Sequence, residues 1–226
     1  MSYEKSHENL LRQILSKIDG KIALSFSYQA EDTVVLHLLS QCKIKSLEVF
    51  TLDTGKLFKE CEELHKETEK FFKISIKRYF PKKNDIKELE KELGDWGMRD
   101  SLKNRHLCCH IRKVEPLERA LKNKSAWITG LRAAQSITRN ELRTVEYDEK
   151  FDVFKINPLA FWSEEDVFNY IKKYDLPINS LYSKGFKSIG CKPCTRAVSD
   201  GEDARSGRWW WENPEHKECG LHIKEK

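Results

Sequence analysis

The chain has 226 residues, enough for one sizeable α/β domain, and its 39% apolar and 34% charged residues describe a folded, well-solvated protein rather than a disordered one. A net charge of +5 favours anionic ligands without the basic clustering of a nucleic-acid binder, no apolar run approaches the ~20 residues that span a bilayer, and the charged start "MSYEKSHENLLRQIL" has no signal-peptide core. These features predict a cytoplasmic protein with neither membrane nor nucleic acid as partner.

Residues 4–18 are predicted to form an amphipathic helix, because Leu10, Leu11, Ile14, Leu15 and Ile18 recur at three- and four-residue spacing. The period then changes. Residues 21–26 read as a short buried strand, followed by a polar turn and the helix "TVVLHLLSQ"; 46–52 as a second strand, "DTG" as a turn, 56–72 as a helix and 73–80 as a third strand. Residues 81–107 are polar and irregular, 109–123 look helical, and 125–129 and 152–159 supply two more strands. Ser163 marks a helix N-cap, with acidic residues in the first turn and Val167, Phe168, Tyr170, Ile171 and Tyr174 on the apolar face. Alternating strands and helices imply right-handed crossovers and a mainly parallel sheet of five to six strands flanked by helices, with ligands at the carboxyl ends of the strands. Beyond about 199 the pattern turns polar, with Gly201, Gly207, Pro214 and Gly220 interrupting it, so the expected division is a compact domain over 1–200 and a C-terminal tail over 201–226.

Seven cysteines, an odd number in a reducing compartment, argue for metal or catalytic chemistry over a disulfide framework. Cys42 and Cys61 sit singly in helical patterns and read as buried thiols. The other four chelating candidates form two tight pairs, "CC" at Cys108 and Cys109 and "CKPC" at Cys191 and Cys194. Structural zinc wants a C-x-x-C type pair on both sides. A four-iron cluster takes thiolates at separated corners, so neighbouring side chains about 100° apart on a helix reach two of them. The adjacent cysteines are expected near a helix start, where the macrodipole favours thiolate, and Pro116 is expected to kink that helix. Arg112 and Lys113 follow Cys108 and Cys109 by four residues each, which stacks a cation above each cysteine. Lys113 is thereby a candidate link between an anionic cluster and an anionic substrate.

"CCHIRKVEPL", "SIGCKPCTRAV", "GEDARSGRWWWE" and "KECGLH" together resemble the iron–sulfur adenylylsulfate reductases of the phosphoadenylylsulfate reductase family, over residues 20 to 222. The resemblance implies the adenine nucleotide alpha hydrolase-like (PP-loop) fold, one 4Fe-4S cluster on Cys108, Cys109, Cys191 and Cys194, and reduction of adenylyl sulfate to sulfite and AMP in sulfate assimilation. It further implies thioredoxin as reductant, self-association into a homo-oligomer, and Cys219 as the nucleophile that carries an S-sulfocysteine intermediate. The turn "SFSYQAED" corresponds to the pyrophosphate-loop remnant, with Ser25, Ser27, Glu31 and Asp32 as contacts, although Tyr28 and Gln29 stand where one common form of the loop has Gly. "LDTG" brings Leu52, Asp53 and Thr54 beside the nucleoside, and "GLRAAQSITR" brings Gly130, Arg132 and Arg139.

The residues themselves agree with that implication. Arg132 and Arg139 follow the fourth strand, and Arg205 and Arg208 precede Trp209, Trp210 and Trp211, so guanidinium forks are expected to converge on a phosphosulfate while the tryptophans anchor the tail. Lys217 and His222 flank Cys219 and favour its thiolate. Three alternatives stay open at this point. One is reduction of the 3'-phosphorylated nucleotide (PAPS), alone or alongside the unphosphorylated one. Another is an ATP-dependent tRNA-thiolating PP-loop enzyme, against which "SFSYQAED" lacks the glycines of an SGGxDS-like loop. The last is a non-catalytic zinc-binding module.

Overall fold

The structure is a computed structural model that describes the chain apart from residues 1–2, 43, 45, 137–138, 140, 214–216, 218–219 and 222–226. Six strands, β1 (Ile22–Ser25), β2 (Leu47–Leu52), β3 (Lys77–Tyr79), β4 (Ala126–Ile128), β5 (Val145–Asp148) and β6 (Val153–Ile156), form one sheet in the order β3-β2-β1-β4-β6-β5. Every pairing is parallel except that of β5 with β6. The chain winds outward from β1 through β2 to β3, then crosses back to lay β4 on the other side of β1. That reversal opens a crevice at the carboxyl ends of β1 and β4, where a doubly wound sheet takes its ligand.

The central strands are apolar on both faces because helices cover both. Ile22, Leu24, Val49, Ile128 and Ile156 pack into the larger core, against α1 (Tyr3–Ser16), α2 (Ala30–Gln41), α3 (Lys59–Phe72) and α7 (Glu164–Tyr174). Ala23, Phe50, Trp127 and Val153 point the opposite way, onto Leu117, Ala120 and Leu121 of α6 (Glu115–Leu121), as the two-residue period of a strand requires. A third core lies beside the sheet and joins α4 (Lys83–Leu93) to α5 (Leu102–Cys109): Leu89, Met98, Cys108, Cys109, Cys194 and Trp209.

The structure departs from the sequence-based expectations in four places. The polar stretch 81–107 holds α4 and most of α5, whose faces are narrow because they cover only the third core. The helix expected over 109–123 starts instead at Leu102, capped by Ser101, whose side chain accepts from the Asn104 amide. Cys108 and Cys109 therefore close α5 rather than open a helix, and the positive end of a macrodipole does not act on them. Pro116 is accommodated without a break because residues His110–Val114 widen into a π-helical turn, with the Glu115 amide bonded to the His110 carbonyl. That wider turn moves the carbonyl a proline ring would strike and leaves Pro116 at the start of α6. Finally, β5 is an antiparallel edge strand with alternating exposure, whose charged "VEYD" hides a strand pattern. The Ser163 cap is as expected: its side chain accepts from the Asp166 amide, and Asp166 accepts in return.

Candidate active site

An open cleft occupies the crevice at the carboxyl ends of β1, β2 and β4. Its floor is the loop from Ser25 to Gln29. Ser25 accepts a hydrogen bond from the Trp127 indole at 2.9 Å, which ties the loop to the neighbouring strand. Tyr28 holds a left-handed backbone (φ = 67°) where the common loop has Gly. A side chain in that region costs about 1 kcal/mol. Burial offsets it: Tyr28 is 1% exposed, its hydroxyl bonds His65 Nδ1 at 3.1 Å and its carbonyl accepts from Asn179.

Several loop donors are already committed within the protein. The Ser27 amide and hydroxyl both donate to Asp32 at 2.6 Å, the Ala30 amide donates to the Tyr182 hydroxyl, and the Asp32 amide to the Gln29 carbonyl. Burial pushes the Asp32 carboxyl up to about 7, against the hydrogen bonds from Ser27 that favour its ionised form. Gly130 lies against the first turn of α2, where a Cβ would fall 2.6 Å from Asp32 Oδ1 and 3.2 Å from the Asp32 amide nitrogen, so the glycine is needed for this approach.

Of the residues expected around a nucleotide, Ser25, Ser27, Asp32, Leu52, Thr54, Lys113, Gly130, Arg139, Arg205 and Arg208 line this cavity. Glu31, Asp53 and Arg132 do not, and each has another partner. Arg132 and Glu31 form a buried ion pair at 2.8 Å. Asp53 accepts from the Gly55 amide and from Arg78, an Asx turn that holds Thr54 in place. Arg208 is pinned between the Ile189 carbonyl at 3.0 Å and the Trp209 ring at 4.5 Å, and Arg205 donates to the Lys217 carbonyl at 2.6 Å. Cys219 and His222 lie outside the described residues. Leu221, two positions beyond Cys219 in sequence, lines the cavity, and Gly220 sits beside Val114.

A second, smaller cavity is lined by Cys108, Cys109, Cys191 and Cys194. Cys191 donates to the Thr54 hydroxyl at 3.3 Å, and the "CKPC" turn is held by the bond from the Lys192 amide to the Lys56 carbonyl and by Arg99 donating to the Pro193 carbonyl. Burial pushes the Cys194 thiol up to about 11 and raises that of Cys108 too, while Lys113 and Arg112 respectively pull the other way. Among the described residues, no group of three or more His, Cys, Asp or Glu is placed to hold a single metal ion. Four sulfurs around one space, with Lys113 and Arg208 in the same wall, fit a body larger than a single ion, such as an iron–sulfur cluster. Lys113, Cys191, Arg208 and Trp209 belong to both cavities.

Sequence reading missed Tyr182, Trp127, Gln135 and Arg105. Their signal is an interior position or a remote partner, which no local pattern displays. Trp209 was expected to anchor the tail and is 1% exposed in the third core; the neighbouring Arg208 bridges to Thr195, so this part of the expected tail is built into the body.

Fold and cleft together define an α/β protein with a ligand-sized crevice at the switch point of a doubly wound sheet. The phosphoadenosine phosphosulfate reductase domain matches residues 21–197, and the chain belongs to that family. It is 47% identical to an adenosine 5'-phosphosulfate reductase of Allochromatium vinosum, over 96% of this chain and 84% of that one. A protein of the same name from Burkholderia cepacia is 44% identical, over 95% and 85%. Among solved structures, a phosphoadenylyl-sulfate reductase from Candida auris in a phosphate complex superposes with a TM-score of 0.69 at 27% identity, covering 85% of this chain and 90% of that one. An FMN adenylyltransferase from Candida glabrata shares the fold alone, with a TM-score of 0.57 at 18% identity, covering 83% and 61%. No helix among the described residues is long and apolar enough to cross a membrane.

Proposed function

We propose that this chain reduces adenosine 5'-phosphosulfate to sulfite and AMP, with a thioredoxin-type dithiol as the electron donor. The observation that carries the reading is the wall that the cleft at the switch point and the cysteine cavity share, formed by Lys113, Cys191, Arg208 and Trp209. A nucleotide seated at the switch point with its anionic end toward that wall brings its sulfate beside the cysteines. Relatives 43–47% identical carry this activity in their names, which supports the unphosphorylated nucleotide as substrate.

In this reading Ser25, Leu52, Thr54 and Gly130 seat the nucleoside, and Lys113, Arg139, Arg205 and Arg208 receive the phosphosulfate. The Cys219 thiolate attacks the sulfate sulfur. A sulfur–sulfur bond forms as the sulfur–oxygen bond to the phosphate breaks, and AMP leaves with that electron pair. The guanidinium and ammonium groups stabilise the charge that develops on the departing phosphate. A thiolate of the dithiol then attacks Cys219 Sγ, sulfite leaves with the electron pair of the sulfur–sulfur bond, and the second thiol resolves the mixed disulfide. The dithiol is thereby oxidised by two electrons as the sulfur is reduced. A four-iron four-sulfur cluster, held by Cys108, Cys109, Cys191 and Cys194, supplies a fixed charge distribution beside the sulfate when bound; the steps belong to the chain's own residues.

The test is steady-state kcat/KM for adenosine 5'-phosphosulfate and for its 3'-phosphorylated form, with thioredoxin as reductant. A higher value for the unphosphorylated nucleotide is expected. Preference for the 3'-phosphorylated one overturns the substrate, and no sulfite from either overturns the reading.

A further inference from the structure

Arg105, on α5, is 0% exposed. A guanidinium so fully removed from water is retained only where its charge is matched and its donors are used. Glu212 matches it with a bidentate pair, 2.9 Å from Nε to Oε1 and 2.8 Å from Nη2 to Oε2. The guanidinium carbon lies over the Trp209 ring, 4.8 Å from its centroid, and the group also hydrogen-bonds Cys109. Trp209 and Glu212 form one rigid turn, closed by the Glu212 amide on the Trp209 carbonyl at 2.8 Å. One side chain therefore clasps the adjacent-cysteine segment to the C-terminal segment, in the wall of the cysteine cavity and outside that of the nucleotide cavity. Glu212 stands seven positions before Cys219 in sequence, and Lys217 between them is held by Arg205 and by the Ser206 carbonyl, which belong to the same C-terminal segment as Trp209.

We propose that Arg105 is a positioning residue for sulfur transfer: it locks the Trp209–Glu212 turn onto the adjacent cysteines and thereby holds in place the Arg205–Glu212 segment, to which Lys217, two positions before Cys219, is tied. The inference rests on the proposed reductase activity and deepens it. A purely structural buried pair has a different signature. Well-packed apolar residues of similar volume replace such a pair with no loss of stability, and a merely structural role survives the exchange. A positioning role does not survive it, because the orientation given by two parallel hydrogen bonds and the Trp209 ring is lost. Lysine, a point charge on a flexible stem, does not restore it either.

The experiment compares the wild type, the double variant Arg105→Met with Glu212→Leu, and Arg105→Lys, as full-length chains purified anaerobically with their iron. Iron per chain, thermal midpoint, kcat and KM for adenosine 5'-phosphosulfate are measured, together with the rate at which iodoacetamide alkylates Cys219, read by mass spectrometry of its peptide. The double variant is expected to keep its iron and its midpoint. Its kcat per iron-loaded chain falls about tenfold or more as the reacting groups lose alignment, with a smaller change in KM because neither Arg105 nor Glu212 lines the nucleotide cleft. Cys219 alkylation speeds up several-fold, and Arg105→Lys shows the same split. Unchanged kcat and alkylation overturn the inference, as does a kcat that falls only in proportion to iron. Should the double variant fail to fold, Arg105→Lys decides by the same readings. A wild type that does not turn over refutes the reductase reading and the inference with it, whereas an active wild type with unaltered variants refutes the inference alone.

Discussion

Substitution of Gly190 by Ala tests whether Arg208 acts on the substrate. A Cβ on Gly190 falls 2.4 Å from Arg208 Nη2, 2.5 Å from Cζ and 3.0 Å from Nε. Ordinary contact at these atoms needs roughly 3.5 Å, so the guanidinium retreats by about 1 Å. Gly190 is not among the glycines with positive φ, so alanine brings no backbone strain and the effect is confined to the contact. Arg208 is buried and its Nη1 donates to the Ile189 carbonyl at 3.0 Å, a bond that does not survive the retreat. Loss of a hydrogen bond from a charged group costs about 1.5–3 kcal/mol, which in a chain of this size lowers the thermal midpoint by about 3–12 °C. A misplacement of about 1 Å in a group that meets the transition state lowers kcat/KM about 10- to 100-fold. The assay is sulfite release with thioredoxin as reductant, with iron per chain measured alongside because Cys191 is the next residue. An activity within about twofold of wild type at equal iron, beside the expected loss of midpoint, refutes the assignment of Arg208 to the phosphosulfate.

Asp32→Asn changes how stability responds to pH. The folded chain keeps on Asp32, up to about pH 7, a proton that the unfolded chain releases near the ordinary aspartate value of about 3.9. This contribution is complete below the lower value and lost as pH rises through the upper one, so the urea midpoint of wild type should fall across that window more steeply than that of Asp32→Asn. Parallel profiles contradict it. Glu31→Gln leaves the buried Arg132 charge without its carboxylate and should cost about 3–5 kcal/mol by urea denaturation; because neither residue lines the nucleotide cavity, KM of the folded fraction stays close to wild type, and a large rise in KM argues for a direct contact. Cys194→Ser, purified anaerobically, should lose most of its bound iron and its absorbance near 400 nm, whereas Cys42→Ser, in a half-buried position away from the cysteine cavity, should keep both.

Much of this fold is legible in local sequence because strand and helix periods alternate clearly over the first eighty residues, and each predicted strand there is present in shortened form. The segment around the adjacent cysteines was misread for a different reason than edge strand β5. α5 and the π-helical turn serve the third core, whose partners Cys194 and Trp209 come from far along the chain, so no amphipathic stripe announces them. The cysteine pairs could be read because four thiols at such spacings have few other uses, and the structure brings all four to one cavity. The arginines were harder. Guanidinium groups look alike in sequence, and only the partner decides: Arg132 faces Glu31, Arg208 faces the cavity wall, and Arg105 is claimed by Glu212. The pyrophosphate loop shows the same limit from the other side. Tyr28 stands in a glycine's position because residues distant in sequence, His65 and Asn179, hold it there.

The central claim is that Cys219 receives the sulfonate directly. The decisive measurement mixes the reduced, iron-loaded chain with an equimolar amount of adenosine 5'-phosphosulfate in the absence of any dithiol, then follows AMP release and the mass of the Cys219 peptide. Stoichiometric AMP and an S-sulfonate on Cys219 are expected, with sulfite appearing only once thioredoxin is added. AMP released while Cys219 stays unmodified, or at an equal rate from Cys219→Ser, contradicts that claim.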